Sequence, residues 1–336
     1  PARVASPAMP AFAPVTWDPG PTPDLAGPFE ANDRLAAATR WPVGGVGPED
    51  VVVDDEGWVF TGLADGRIRR LGPDGGDATT IAVTGGRPLG VELHPEDGLV
   101  VCDADRGLLH VDGRGKVHDW VTTHEGERLL FTNNAAVASD GIVYFSDTSR
   151  RWSIHEFNAD ILEQSATGRL FARHPDGSVE VLADGLAFAN GVALSADEQS
   201  VFVAETARYR IRRFDLASRR LVPWVEGLPG FPDNLTRADG VVWVAFPRPR
   251  DRVLDALLPR PWARRVVHAL PTSLQPKPSR HGFLLGLAES DGSVVHNLQD
   301  TTGSVAVTTS ARVVDGRLFV GSLTEPTVAV ADLADL

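Results

Sequence analysis

The chain has almost no cysteine: one residue, Cys102, in a total of 336. A single thiol excludes an intrachain disulfide framework and a thiolate metal cluster. Cys102 lies in the apolar run LVVCD, and we interpret it as a small buried hydrophobic residue. The lack of disulfides fits a cytoplasmic location. The Ala- and Pro-rich start, PARVASPAMPAFAPVTW, fits either a flexible arm or an exported form with a trimmed leader.

Long apolar runs are missing as well. No stretch approaches the ~20 apolar residues of a membrane span, so none is predicted. The sequence contains no GxSxG, no P-loop and no GxGxxG after a strand, which leaves serine hydrolase and nucleotide-binding functions without support. The formal net charge is −13, which argues against a general nucleic-acid surface. We therefore predict a small-molecule partner and leave the oligomeric state open.

What the chain does contain is a repeat of short β-branched or aromatic runs separated by tight turns. Each copy reads strand, turn, strand, connection and third strand, and most continue into a fourth strand. The copies begin at Val51, Val91, Ala136, Val192, Leu235 and Ala311. Six such units, about 40 to 75 residues apart, are typical of an all-β, six-bladed β-propeller with four-stranded blades. A two-sheet sandwich is the alternative, but six matched units are too many for one.

The sixth copy runs out of chain after its third strand, in ADLADL. A segment within ANDRLAAATRWPV, residues 31–43, is therefore predicted to supply the missing strand and close the ring. We accordingly divide the chain into an N-terminal arm, residues 1–30, and one propeller domain, residues 31–336.

A second repeat consists of polar residues just ahead of the first strand in four blades. Each precedes the turn residue of its blade by six to eight positions. The members are Glu49, Asn133, Asn190, Asp233 and Asn234. Because the innermost strand of every blade lines the central channel, we expect these side chains to converge at one mouth of it.

All five side chains offer oxygen, and none offers sulfur or imidazole. Two carboxylates and three amides suit a hard cation that takes about six to eight oxygens, so we predict a central Ca²⁺. Mg²⁺, Mn²⁺ and Zn²⁺ are the alternatives. For each residue alone, a capped turn is also an explanation. Blades 2 and 6 carry Leu89 and Thr309 instead, which leaves the ion open on that side.

Three aromatic residues, Phe131, Phe188 and Phe231, each lie two positions before Asn133, Asn190 and Asp233. They are predicted either to form an apolar collar above the ion, suited to an acyl group, or simply to pack between blades. The predicted substrate pocket consists of Phe131, Phe188, Phe231, Leu89, Thr309 and Trp152.

Long segments after Asp147 and after Phe246 interrupt blades 3 and 5, and loops of this length are often lids. His155 in the first and His281 in the second are candidate general acids, with a hydrogen-bonded structural histidine as the alternative. The second segment also carries basic residues, predicted to form a solvated face or to attract a carboxylate or an anionic membrane. They are Arg260, Arg264, Arg265, Lys277 and Arg280.

Four segments carry a family resemblance: GPEDVVVDDEGWVFTGLADGRI, FTNNAAVASDGIVYFSD, FANGVALSADEQSVFVAETARYRI and FPDNLTRADGVVWVAF. They resemble the SMP-30/gluconolactonase/LRE superfamily, especially its strictosidine synthase-like branch, which is related to paraoxonase-type propellers. The resemblance implies a six-bladed propeller, a central divalent ion that is usually calcium, and hydrolysis of lactones or esters.

The resemblance also implies roles for single residues. Glu49, Asn133, Asn190 and Asp233 match the metal ligands of the superfamily, and Asn234 matches an additional ligand of the paraoxonase-like relatives. Asp50 and Asn134 fall where those relatives hold a second, structural calcium, but the amide at position 134 replaces their usual carboxylate.

Two departures from the relatives narrow the chemistry. Leu89 stands where paraoxonases have a catalytic histidine, and Thr309 falls near the glutamate with which strictosidine synthases drive condensation. The predicted function is hydrolysis of lactones or related esters, with the metal as Lewis acid and Asp233, assisted by Glu49, orienting or activating water. The alternatives are a non-hydrolytic condensing or rearranging enzyme and a metal-stabilised binding propeller.

Overall fold

The computed structural model of the chain describes residues 10–270 and 280–336. In chain order its strands are β1 (Thr39–Pro42), β2 (Val51–Val53), β3 (Val59–Gly62), β4 (Arg67–Leu71), β5 (Thr79–Val83), β6 (Pro88–Leu93), β7 (Leu99–Asp103), β8 (Gly107–Val111), β9 (Val117–Val121), β10 (Thr123–His124), β11 (Glu127–Arg128), β12 (Thr132–Val137), β13 (Val143–Asp147), β14 (Gly168–Arg173), β15 (Val179–Leu186), β16 (Ala189–Leu194), β17 (Ser200–Glu205), β18 (Arg210–Asp215), β19 (Arg220–Val225), β20 (Leu235–Ala238), β21 (Val241–Ala245), β22 (Gly282–Ala288), β23 (Val294–Asp300), β24 (Thr308–Val314), β25 (Arg317–Ser322) and β26 (Thr327–Asp332).

Helical structure is limited in the part of the chain that the structure describes. The α-helices are α1 (Phe157–Glu163), α2 (Arg252–Leu257) and α3 (Pro261–His268), and single 3₁₀ turns lie at Gly27–Phe29, Arg34–Ala37, Ile154–Glu156, Thr206–Arg208 and Leu333–Asp335. None of the helices within residues 10–270 and 280–336 is long and apolar enough to cross a membrane.

The strands form six antiparallel four-stranded sheets and one small ribbon, β10–β11. In chain order the sheets are β2-β3-β4-β5, β6-β7-β8-β9, β12-β13-β14-β15, β16-β17-β18-β19, β20-β21-β22-β23 and β24-β25-β26-β1. The turn between the first two strands of a sheet is tight because residues such as Gly57 and Gly141 adopt a positive φ, 84° in both cases. The prediction of a six-bladed propeller with four-stranded blades is confirmed.

The first strand of each blade faces the centre, and each such strand contacts those of the two adjacent blades, so that β24 returns to β2. Apolar clusters fill the space between adjacent sheets; Val100 of blade 2 and Phe145 of blade 3, for example, share one cluster. Burial between blades is what makes each sheet stable, because a single sheet would expose an apolar face.

The ring is closed by the N-terminal segment, as predicted. Strand β1 pairs antiparallel with β26, so that Trp41 lies opposite Val328 in the last blade. The Trp41 ring packs edge-on against Phe319, with 5.9 Å between ring centroids. One blade therefore contains both ends of the domain, which removes the two sheet edges that an open ring would leave.

Two insertions interrupt the blades. The blade 3 insertion, residues 148–167, contains α1, and the blade 5 insertion, residues 246–281, contains α2 and α3; α1 contacts α3. Residues 10–30 run along both insertions. The Val15 amide donates to the Glu163 carbonyl at 2.8 Å, and the Thr22 hydroxyl donates to Asp255 at 2.5 Å. That the insertions act as lids stays a prediction.

Candidate metal centre at the channel mouth

Four of the inner strands carry a β-bulge within their first residues. The ladder register shifts between Pro88 and Val91, Thr132 and Ala135, Ala189 and Val192, and Thr308 and Ser310. A bulge leaves residues out of the ladder and re-aims their side chains. Leu89, Asn133, Asn190 and Thr309 all lie in these bulges, so the bulge occurs at the equivalent position of four blades.

Glycines in the bulges allow the inner strands to approach one another closely. A Cβ on Gly191 would lie 2.3 Å from the Asp233 carbonyl oxygen, and one on Gly90 would lie 2.7 Å from the Cα of Asn134. Neither position therefore accepts a side chain without displacing the neighbouring blade.

Blades 1, 5 and 6 are joined at the mouth by hydrogen bonds among three predicted site residues. The Asn234 side-chain amide donates to Glu49 Oε1 at 3.1 Å. The Asn234 backbone amide donates to the Thr309 carbonyl at 3.0 Å, and the Thr309 hydroxyl donates to the Glu49 carbonyl at 2.6 Å. The Thr309 hydroxyl is thus engaged in holding Glu49 in place.

Blades 3 and 4 are joined by Thr148, a residue that sequence reasoning missed. The Asn133 side-chain amide donates to the Thr148 hydroxyl at 3.0 Å, which in turn donates to the Ala189 carbonyl at 2.7 Å. This chain of bonds orients the Asn133 carboxamide with its oxygen free. The signal was available, because Thr148 directly follows β13, whose end meets the mouth.

Four buried oxygens of the predicted ligands have no hydrogen-bond partner. They are Glu49 Oε2, Asn133 Oδ1, Asn190 Oδ1 and Asn234 Oδ1, for which residues 10–270 and 280–336 supply no donor. An unsatisfied buried polar atom costs about 1–3 kcal/mol, so four of them in one place require an explanation. A cation with oxygen ligands would satisfy all four, and the donor set fits Ca²⁺. Within residues 10–270 and 280–336, no group of three His, Cys, Asp or Glu side chains is placed to hold a metal ion.

The two carboxyl groups of the site are strongly perturbed. Burial raises the pKa of Glu49 well above its usual value, and the nearby Asp233 and Asp50 carboxylates raise it further, while Arg87 and the Asn234 hydrogen bond oppose the rise. Burial raises the pKa of Asp233 to about 8, against a hydrogen bond from Asn190 that lowers it. Without a cation the pair therefore retains a proton near neutral pH, and a bound dication would favour its release.

The three phenylalanines lie in one apolar cluster together with Leu89. Phe131 and Phe188 meet edge-to-face with ring centroids 5.6 Å apart, and Phe231 meets Tyr209 edge-on at 4.9 Å. The same cluster includes side chains of both insertions. Packing between blades and an apolar collar are both compatible with this arrangement, so the pocket role of these residues stays a prediction.

In two blades, the residue two positions before the predicted site residue has a positive φ; the site residues are Asn190 and Thr309. Phe188 has a φ of +61° and Val307 a φ of +52°. The left-handed region is rare for bulky and β-branched residues and costs of order 1–3 kcal/mol. Such strain persists only where the surrounding structure enforces it, and strained residues are often found at active or binding sites.

Arg87 occupies the equivalent position in blade 2 and was also missed. Its guanidinium is largely buried, and Nη1 donates to the Gly47 carbonyl at 3.0 Å. It lies close enough to lower the pKa of Glu49. The repeat spacing that places Phe131 two residues before Asn133 also places Arg87 two residues before Leu89, so the register of the repeat was the available signal.

Other predicted site residues have different partners. His155 is exposed in the blade 3 insertion, with its ring nitrogen 3.0 Å from Asp105. The His281 ring lies 2.9 Å from Gln299. The indole nitrogen of Trp152 donates to Glu163 at 2.6 Å. The general-acid roles of the two histidines and the pocket role of Trp152 stay predictions.

The basic residues of the blade 5 insertion do not form one solvated face. Arg264 is fully buried, and its Nη1 donates to the Leu162 carbonyl at 2.5 Å, because it joins α3 to the blade 3 insertion. The prediction of a solvated face is therefore wrong for Arg264. Arg260 and Arg265 are exposed, Arg280 pairs with Glu325, and Lys277 lies outside the described residues.

Comparison of the sequence with known proteins identifies two matching family models and a set of relatives. A family model described as strictosidine synthase matches residues 133–218, and one described as strictosidine synthase-like, N-terminal, matches residues 27–71. The chain is 35% identical to the adipocyte plasma membrane-associated protein of Salmo salar, across 93% of this chain and 82% of that protein.

Two solved structures share the propeller fold. A gluconolactonase from Xanthomonas campestris is similar with a TM-score of 0.64 and 18% identity, covering 89% of this chain and 92% of the other. The calcium-binding protein regucalcin from Agrobacterium tumefaciens is similar with a TM-score of 0.60 and 15% identity, covering 87% and 92%. At these identities the likeness extends to the fold alone.

Proposed function

The chain belongs to the strictosidine synthase-like family that includes the adipocyte plasma membrane-associated proteins, and from that premise we propose that it is a Ca²⁺-dependent hydrolase of lactones or related esters. The observation that carries the proposal is the set of four unpartnered, buried oxygens beside the Asp233 carboxyl. The gluconolactonase and regucalcin folds are consistent with it.

Glu49, Asn133, Asn190, Asp233 and Asn234 would hold the ion. When bound, Ca²⁺ supplies positive charge that polarises a substrate carbonyl and stabilises negative charge on its oxygen. Mg²⁺, Mn²⁺ and Zn²⁺ remain the alternatives for this position.

The protein groups have separate tasks in this proposal. Asp233 accepts the proton of the attacking water or orients that water, because it alone combines a ligand position with a carboxylate on blade 5. Glu49 shares this task. Asn190 hydrogen-bonds Asp233, and Asn234 donates to Glu49, so each carboxylate is oriented by one amide. Phe131 and the other collar side chains receive the apolar part of the substrate and exclude water from the mouth.

The Asp233→Asn variant tests the proposal. The full chain is assayed against a panel of lactones, aryl esters and phosphotriesters, with and without a chelator. Hydrolysis of a lactone or ester by the wild type should disappear with the chelator, and it should fall at least 100-fold in Asp233→Asn, the scale of a lost general base. Asp239→Asn, in an exposed turn of the same blade, is the matched control and should retain the wild-type rate. An Asp233→Asn protein that keeps metal and near-normal rates would refute the role of this carboxyl.

A non-hydrolytic function is the second candidate, favoured by the strictosidine synthase family match. Against condensation chemistry, residues 301–314 contain no glutamate, and the Thr309 hydroxyl is engaged with the Glu49 carbonyl. Metal binding without hydrolysis of any panel member would favour this candidate or a binding propeller. The absence of disulfides supports a cytoplasmic location, and the relative's name makes attachment to a membrane the alternative.

A further inference from the structure

Below the mouth, a second layer of polar groups fills the channel. It is centred on Asp50, which directly follows Glu49 and is only 1% exposed. Asp50 Oδ1 accepts from the Val51 amide at 2.8 Å, and Oδ2 accepts from the Val91 amide and from the Asn134 side chain, each at 3.2 Å. Both carboxylate oxygens are therefore engaged by donors from three blades.

The orientation of the Asn134 carboxamide follows from its second partner. Its Oδ1 accepts from the Val192 backbone amide at 2.8 Å, and a backbone N–H can only donate. The amide nitrogen, not the oxygen, must then face Asp50. A cation bound at Asp50 would meet N–H groups at this point instead of an oxygen ligand, so the residues do not fit the second calcium that paraoxonase-like propellers imply.

Arg312, on β24 of the sixth blade, supplies a positive charge to the same layer. Its Nε donates to the Val51 carbonyl at 3.1 Å, and its Nη2 donates to the Glu92 carboxylate. Both of these charged side chains are largely buried, at 17% exposure. Burial raises the pKa of Asp50, and the Arg312 guanidinium opposes that rise. The Arg312 guanidinium therefore hydrogen-bonds the Val51 carbonyl and the Glu92 carboxylate, and its charge favours ionisation of Asp50.

A carboxylate and a backbone carbonyl are the oxygen types that Ca²⁺ takes, and a guanidinium binds the same groups through hydrogen bonds. Arg312 links blade 6 to blades 1 and 2, while Asn134 links blade 3 to blades 1 and 4. We propose that Arg312, with Asn134, takes the place of a second cation, so that the channel binds one dication at its mouth and is held together below by a charge built into the chain. This inference depends on the proposed function in one respect only, namely that the mouth is the site of the one bound dication.

The number of bound ions tests this inference. Calorimetric titration of the metal-free full chain with Ca²⁺ should give one ion per chain. The double variant Arg312→Gln/Asn134→Asp removes the built-in charge and restores a carboxylate, and it should bind two. Arg169→Gln is the matched control, because Arg169 is equally a buried arginine paired with a carboxylate, Asp147 at 2.7 Å, but lies outside the channel. It should bind one ion.

Thermal unfolding of Arg312→Gln provides an independent measurement. This variant should lose stability in chelator and regain a larger part of it in millimolar Ca²⁺ than Arg169→Gln does. The channel variant leaves two neighbouring acids, Asp50 and Glu92, without a positive charge, whereas Arg169→Gln leaves Asp147 alone. A wild type that binds two ions would overturn the inference and leave the proposed function intact. A wild-type protein that binds no ion would show that the mouth is not a metal site. In that case a gain of one ion in the double variant would still support the inference. A folded double variant with the wild-type stoichiometry and no rescue would sink it.

Discussion

Lowering the pH from 8 to 6 should weaken Ca²⁺ binding by about 50-fold. Burial raises the pKa of Asp233 to about 8 in the metal-free protein, so that at pH 6 this carboxyl holds a proton that must leave before its oxygen can bind an ion. The ionised fraction of Asp233 is about one half at pH 8 and about 1% at pH 6, so the binding free energy falls by about 2.3 kcal/mol. The raised pKa of Glu49 acts in the same direction.

The same proton affects the stability of the metal-free protein. The pKa of Asp233 is 3.8 in its reference state and about 8 in the fold, so the folded state binds more protons than the unfolded chain between these values. The free energy of unfolding therefore falls as the pH rises through this window, which is opposite to the behaviour of a salt-bridged carboxylate. Saturating Ca²⁺ should remove this dependence, because the proton is then absent from the folded state.

Calorimetric titrations at pH 6, 7 and 8, in two buffers with different ionisation enthalpies, measure both the affinity and the protons released. About one proton per ion should be released at pH 6 and 7. Asp233→Asn is the matched variant, and it should release fewer protons, because its amide does not titrate. Equal affinity at pH 6 and pH 8, with no proton release, would refute the assignment of Asp233 as a buried, protonated ligand.

Two further predictions concern the scaffold of the site. Gly191→Ala should weaken Ca²⁺ binding at least tenfold, because its Cβ would displace the Asp233 backbone, with its carbonyl oxygen 2.3 Å away; unchanged affinity in the same titration would contradict the close contact. Glu163→Gln should lower the free energy of unfolding by about 3 kcal/mol in denaturant titrations, because it leaves the Arg151 charge without its buried partner at 2.8 Å. It should also expose residues 10–30 to proteolysis, since the Ala13 amide donates to the same carboxylate, and a wild-type cleavage rate would argue against that anchoring role.

Much of the architecture could be predicted from the sequence because it depends on short, local sequence patterns. Alternating strands and Gly-containing turns specify a blade within about 40 residues, and six copies specify the ring. The closing strand at Thr39–Pro42 could be predicted from the missing fourth strand of the last blade. The offset of six to eight residues between each polar residue and its turn, as from Asn133 to Gly141, predicted which side chains share the mouth. The hydrogen bond between Glu49 and Asn234 brings two of them together.

Contacts between distant segments could not be read in this way. Nothing near Arg312 in the chain indicates that its guanidinium lies within reach of Glu92, 220 residues away. The orientation of the Asn134 carboxamide depends on a backbone amide of the next blade. Arg264, which composition alone assigns to a solvated face, is buried because α3 packs against the blade 3 insertion.

The sequence by itself therefore determined the blades and their number, because strand and turn preferences and their spacing act over a few residues, and it predicted the oxygen-bearing positions at the channel mouth. Only the tertiary structure decided which of those oxygens lack partners, how high the pKa of Asp233 rises and which charge fills the lower channel. These properties depend on burial and on the meeting of separate blades, and both arise only when the ring is closed.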